Sequence, residues 1–220
     1  SISTDFVESP KKLTKKIEEY KKILPNDYKH YKRVNFDEPF RIFLSLVFHR
    51  LDNFQKNKKG YKYFHEFLDD ILLFQNSVLK IFGTKIQNTK LDSFIEMVYQ
   101  FEFHGVSLDI RQNSSVINAQ KGREYFDFEE LIKEIPELQK IYGNKVFNSL
   151  ILSMTSSAND VLNLFNVCKK HIPKENIPSI TPLIEEIEEL QKSHIILEKL
   201  FQKRQYKSFI ERFKNNNQEV

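Results

Sequence analysis

The sequence predicts a mostly α-helical chain with a few short parallel strands, and three observations carry that prediction. Over the first hundred residues, apolar side chains recur at three- and four-residue spacing, the period of one helix face. Beyond about residue 100, three short apolar segments follow, each leading through a polar turn into a helix-like run. They start about 30 to 45 residues apart, which leaves room for the helix that a parallel crossover needs. With 5 Gly and 7 Pro in 220 residues, the chain lacks the turn chemistry of a β-sandwich and the composition of a disordered segment. Its 40% of hydrophobic residues is enough for the core of one domain or of two joined subdomains. The change of pattern divides the chain into an α-helical lead-in over residues 1–100 and three strand–helix units with C-terminal helices over residues 101–220.

Ser9-Pro10 reads as an N-cap followed by Pro at the first helical position, and Leu13, Ile17, Tyr20, Ile23 and Leu24 then share one face. Pro25-Asn26-Asp27 is expected to break that helix. A second starts near Glu38-Pro39 and places Phe40, Phe43, Leu44, Val47, Phe48 and Leu51 inside. Asn53 to Gly60 is polar and reads as a loop. A third helix covers Tyr63 to Phe82 with Phe64, Phe67, Leu68, Ile71, Leu72, Val78, Leu79 and Phe82 inside, and Gly83 stops it. A fourth begins near Leu91 and carries Phe94, Ile95 and Val98. The three apolar segments are Phe103 to Ile110, Phe147 to Met154 and Ile177 to Ile184. Periodicity alone leaves short buried helices as an alternative to strands there.

Charge and composition narrow the function classes. The 34 basic and 30 acidic residues give a net charge of +4, and the Lys pairs near the start alternate with Glu18-Glu19, as on a solvated helix face. No aromatic-interleaved basic motif accompanies them, so no nucleic-acid partner is expected. No apolar run approaches the length of a membrane span, and no signal peptide is visible, so no membrane partner is expected. Cys168 stands alone in an apolar setting and reads as a small core residue of a cytoplasmic protein. His30, His49, His65, His104, His171 and His194 show no metal-ligand spacing, and His104 is expected within the first strand as a core or helix-contact residue. The chain opens on Ser1 without an initiator Met, as a processed or excised piece of a longer chain would.

Two positions stand out chemically. Arg111 sits at the mouth of the first apolar segment, where a fixed guanidinium can face a planar or phosphorylated anion. Glu185 directly follows the third segment, where a carboxylate can serve as a hard-oxygen ligand for Mg²⁺ or Mn²⁺. Glu186, Glu188 and Glu189 follow in a first helical turn, where the helix dipole alone accounts for negative charge. Ser157 or Asn159 can cap the helix beginning near Asp160.

The stretch Leu108-Asp109-Ile110-Arg111-Gln112-Asn113-Ser114 resembles the LDIRQ-S signature of the phosphoenolpyruvate carboxylase family. Ile151 to Leu162 is similar to that family's ISM…SDVL block, and Thr181 to Leu190 to its PLFETLDDL block. Glu38-Pro39-Phe40-Arg41 resembles its EPYR, and Asn217-Gln218-Glu219-Val220 the start of its QEVMIGYSDSAKD strand. The resemblance decides for strands in the three segments and implies part of a helix-rich (β/α)8 TIM-like barrel. It implies Arg111 as the catalytic, substrate-binding residue and Glu185 as a metal ligand.

For the complete enzyme, the resemblance implies phosphoenolpyruvate and bicarbonate as substrates, Mg²⁺ or Mn²⁺ as cofactor and a homo-oligomer, a tetramer by family. The reaction passes through carboxyphosphate and an enolate to oxaloacetate and phosphate, the metal stabilising enolate charge. Several departures mark this chain. Val116 and Ile117 occupy the places of an Arg-His pair, and Asn113 that of an acidic residue. The TAHPTE motif with the family's catalytic His and the GRGG loop do not occur, and the sequence stops before the second metal carboxylate. An inactive internal fragment binding no metal of its own is therefore expected. The rival reading is a non-catalytic, helix-rich scaffold or interaction protein, which needs no active site.

Overall fold

The computed structural model describes residues 10–36, 38–56, 59–83 and 90–220, so Ser9 of the expected first cap lies outside the described residues. The chain forms two compact units, Ser1–Phe103 and His104–Val220. The first is helical: α1 (Lys11–Ile23), α2 (Pro25–Val34), α3 (Pro39–Asp52), α4 (Phe64–Phe82) and α5 (Lys90–Phe101). The second contains β1 (Leu108–Asn113), α6 (Ser114–Ala119), α7 (Arg123–Tyr142), β2 (Phe147–Ser153), α8 (Ala158–His171), β3 (Ser179–Pro182), α9 (Ile187–Gln191), α10 (Ser193–Phe201) and α11 (Arg204–Phe213). No described helix is long and apolar enough to cross a membrane.

In the first unit, the expected break at Pro25 is a corner between two helices. Pro25 occupies the first turn of α2, where its missing N–H is not needed and its fixed φ suits a helix start. The core gathers Leu13, Ile17 and Tyr20 of α1, Phe40, Phe43, Leu46 and Val47 of α3, and Phe64, Phe67, Ile71 and Phe74 of α4. The buried stripe of α3 is turned from the expected one, so that Ile42 and Leu46 point inward while Leu44 and Phe48 are exposed. Gly83 closes α4 with φ +63°, a conformation that costs glycine least.

A polar cluster lies inside this apolar core. Asp70 of α4 is buried, and its Oδ2 accepts hydrogen bonds from the Tyr20 hydroxyl and, at 2.6 Å, from the Tyr61 hydroxyl. Arg50 donates to Tyr20 at 2.7 Å and to Glu66 at 2.8 Å, and its guanidinium stacks 4.0 Å from the Tyr61 ring centre. Lys16 approaches Asp70 Oδ1 at 3.8 Å, an oxygen with no hydrogen-bond partner among the described residues. Burial pushes the Asp70 carboxyl above the usual carboxylate range, against the opposing pull of the two tyrosine hydrogen bonds. Burial and the nearby carboxylate likewise raise both tyrosines. The preceding turn is tight: Arg50 holds the Tyr61 amide through its carbonyl at 3.2 Å, and a Cβ on Gly60 would collide with the Asn53 carbonyl.

The second unit is built on a three-stranded parallel sheet in the order β1-β2-β3, each strand beside the next in sequence. The register aligns Arg111 with Ile151 and Ile151 with Thr181. Side chains alternate between the faces of a strand, so Ile110, Leu150, Leu152 and Ile180 share one face and join the core of this unit. That core also takes Ile117 of α6, Phe128, Ile132 and Ile135 of α7, Leu164, Phe165 and Cys168 of α8, and Tyr206 and Phe209 of α11. Cys168 is free and buried there, and burial pushes its thiol up to about 12, which leaves it a packing residue at neutral pH. The opposite face carries Asp109, Arg111, Ser149 and Thr181, with the Ser149 and Thr181 hydroxyls 2.7 Å apart.

The first strand lies later than the sequence suggested. Phe101 still belongs to α5, Gly105 turns the chain with φ +69°, and pairing begins only at Leu108. His104 is therefore a half-buried turn residue with Nε2 3.4 Å from the Ser107 hydroxyl, and not a strand residue. The second and third strands fall within their expected segments, the third trimmed to four residues by Pro178 and Pro182.

Candidate anion site at the strand ends

The C-terminal ends of the three strands are joined by a small set of directional contacts. β1 passes directly into α6: Asn113, in place of the acidic residue of the resembling signature, accepts the Ser115 amide at 2.9 Å and caps the helix. Ser114 then donates to the Met154 carbonyl at 2.6 Å, tying the end of β1 to the turn after β2. Leu183 donates its amide to Leu152 O at 2.8 Å, and Thr155 donates its own to Leu183 O at 3.0 Å, carrying the β2–β3 pairing past the strands. Met154 sits between these ties with φ +56°. A non-glycine residue in the left-handed region costs about 1–2 kcal/mol, and its neighbours hold it there.

Glu185 completes the clamp. Its Oε1 accepts the Met154 amide at 3.0 Å and lies 3.5 Å from the Arg111 guanidinium. Arg111 and Glu185, 74 residues apart, thus meet on one side of the sheet, near its C-terminal edge. Arg111 is 59% exposed and Glu185 39%, so both are reachable from solvent and the pair is screened by water. The guanidinium keeps donor capacity beyond its contact with Glu185, which suits a planar or tetrahedral anion.

Beside this edge, Asp160 organises the start of α8. Ser157 is the N-cap, selected over Asn159, and the Asp160 carboxylate accepts the amides of Ser156 at 2.9 Å and Ser157 at 2.8 Å. Asn118 of α6 donates to the other oxygen at 2.8 Å. Burial works to raise the Asp160 pKa, but these hydrogen bonds outweigh it and hold the carboxyl below the usual range. Asp160 is therefore structural, and the turn it supports carries Met154 to Ser156.

The positions where the resembling signature has an Arg-His pair are apolar and inward here. Ile117 is fully buried in the core, with Val116 packed against it. Neither brings charge to the strand ends. For a metal, the carboxylate of Glu185 is a hard oxygen of the right kind, but its Oε1 already faces two hydrogen donors. Among the described residues, no three His, Cys, Asp or Glu side chains gather as a metal shell. The residues present do not make up a complete cation site.

Sequence reasoning singled out Arg111 and Glu185 but not the ties between them. Ser114 and Met154 lie inside the family-like blocks, yet nothing in a linear pattern says that one donates to the carbonyl of the other, 40 positions away. The Asp70 cluster had a visible signal: an acidic residue at three-residue spacing from Phe67, within the apolar stripe of α4.

Comparison with known proteins agrees along the whole chain. The family model "Phosphoenolpyruvate carboxylase" matches residues 1–121 and 118–220. A phosphoenolpyruvate carboxylase of Prochlorococcus marinus strain MIT 9301 is 26% identical over 197 residues, covering 68% of this chain and 20% of that protein. One from Gloeobacter violaceus is 23% identical over 269 residues, covering 91% of this chain and 28% of its own length. The chain thus spans 20% to 28% of the length of these curated relatives.

Proposed function

The chain belongs to the phosphoenolpyruvate carboxylase family, and from that premise we propose that it is a central portion of an enzyme joining phosphoenolpyruvate and bicarbonate to give oxaloacetate and phosphate. The observation that carries the reading is the meeting of Arg111, the Met154 turn and Glu185 at the ends of three parallel strands. In (β/α)8 barrels, ligands bind at that end.

A barrel also accounts for the sheet. Strands paired in sequence order, without reversal, wind in one direction and leave no topological switch point. One face is apolar and covered by helices, while the other carries Asp109, Arg111, Ser149 and Thr181 with Ile151 among them. Beyond β3, the Gln218 side-chain amide donates to Ile180 O at 2.7 Å, which ties the last residues to that strand.

In the complete enzyme, phosphate passes from phosphoenolpyruvate to bicarbonate, leaving carboxyphosphate and an enolate, and CO₂ released from carboxyphosphate adds to the enolate carbon. Arg111 holds anionic substrate oxygens during these steps through charge-assisted hydrogen bonds. Mg²⁺ or Mn²⁺ would supply Lewis-acid stabilisation of enolate charge, with Glu185 as one of its ligands and the other donors outside this chain. The parent is a homo-oligomeric, cytoplasmic enzyme with neither nucleic-acid nor membrane partners. Phosphoenolpyruvate titrated into the 220-residue chain, followed by ³¹P line width, is expected to show weak saturable binding that Arg111→Ala abolishes. Equal binding by the variant would remove Arg111 from the site.

A further inference from the structure

We propose that in the metal-free chain Glu185 is the built-in competitor of the Arg111 anion site, a carboxylate that occupies the guanidinium until a ligand anion displaces it or a cation draws it away. The inference rests on the reading of Arg111 as the anion-binding residue and adds a regulatory role for its neighbour. Three observations support it.

The Glu185 carboxylate lies 3.5 Å from Arg111 with one oxygen toward the guanidinium, the place that a phosphate or carboxylate oxygen of a ligand would take. The carboxylate is also tethered by the Met154 amide at 3.0 Å, so it is held at the site as a local ligand and does not sample all solvent. Finally, the pair is substantially exposed, so its attraction is weak enough for an incoming anion to replace.

An anion that binds Arg111 must therefore displace Glu185 or share the guanidinium with it, and either route costs affinity. Removing the negative charge while keeping the shape should tighten anion binding. Glu185→Gln does this, because the amide oxygen can still accept the Met154 N–H. The loss of competition corresponds to an exposed ion pair, about two- to five-fold in affinity at low salt. Added salt weakens the pair in the wild type and should narrow the difference between the two proteins.

The probe is inorganic phosphate, titrated into ¹⁵N-labelled wild-type protein, Glu185→Gln, Glu185→Ala and Arg111→Ala, with dissociation constants read from amide shifts. Tighter phosphate binding in both Glu185 variants and its loss in Arg111→Ala are expected. Unchanged or weaker binding in both Glu185 variants, with loss in Arg111→Ala, would overturn the competitor role and leave the Arg111 site standing. A phosphate response that survives Arg111→Ala, or none in any of the four proteins, would overturn the site and the competitor together.

Discussion

Replacing Asp70 by alanine is expected to lower the stability of the N-terminal unit by about 3–5 kcal/mol, the cost of removing one partner from a buried charged cluster. The side chain is 1% exposed and accepts the hydroxyls of Tyr20 and Tyr61, both of which lose that acceptor in the variant. Arg50 would keep Glu66 but lose the carboxylate 3.9 Å from its Nη1. Asp70→Asn should cost less, because its amide oxygen can take the place of Oδ2 and keep both tyrosine hydrogen bonds, while its NH₂ forfeits only the 3.8 Å approach of Lys16 to Oδ1.

The two variants also separate on pH. Burial raises the folded-state pKa of Asp70, so the fold favours the protonated carboxyl. That contribution is fully present below the unfolded carboxylate value and is lost as pH rises through the raised value. Wild-type protein should therefore lose stability across that window, and Asp70→Asn should lack this component. Urea denaturation followed by circular dichroism at a series of pH values measures both effects. A loss for Asp70→Ala below about 0.5 kcal/mol, the range of an ordinary surface change, would mean that the cluster contributes little.

Purified chain given phosphoenolpyruvate, bicarbonate and Mg²⁺ is expected to form no oxaloacetate in an assay coupled to malate dehydrogenase. Family catalysis calls for a His in a TAHPTE motif and a Gly-rich anion loop, and the 220-residue sequence contains neither motif. Removing a catalytic acid–base group costs about 10²–10⁴-fold in rate, and removing a transition-state anion donor about 10²–10³-fold. Together these losses should place turnover below detection. A single tethered carboxylate should likewise hold Mg²⁺ or Mn²⁺ too weakly to shift the melting temperature at millimolar concentration, since most of a six-oxygen shell would remain water. Oxaloacetate formation that disappears in Arg111→Ala would show that the chain is catalytically complete.

Much of this was legible in the sequence because its signals are local. Helical spacing located α1, α3, α4 and α5, and Gly83 fixed the end of α4. The Leu108–Ser114 and Thr181–Leu190 blocks pointed to Arg111 and Glu185, which the fold brings within 3.5 Å of each other. What escaped depends on context that no short window contains. Pro25 reads as a stop, although the same ring chemistry suits it to start α2. The aromatic run before Arg111 looks extended, yet Phe101 and Phe103 serve the helical side, Phe103 packing against Phe64 and Phe67. The rotation of α3 that exposes Phe48 is fixed by which neighbours supply its core, and periodicity alone leaves two adjacent stripes open.

The most direct test of the central claim is where phosphoenolpyruvate touches the protein. Backbone amide shifts on titration should concentrate at residues 108–115, 153–157 and 183–186, and the same map should go silent in Arg111→Ala. Perturbations spread over the opposite ends of the strands, or confined to the N-terminal unit, would contradict a ligand site at the C-terminal strand ends.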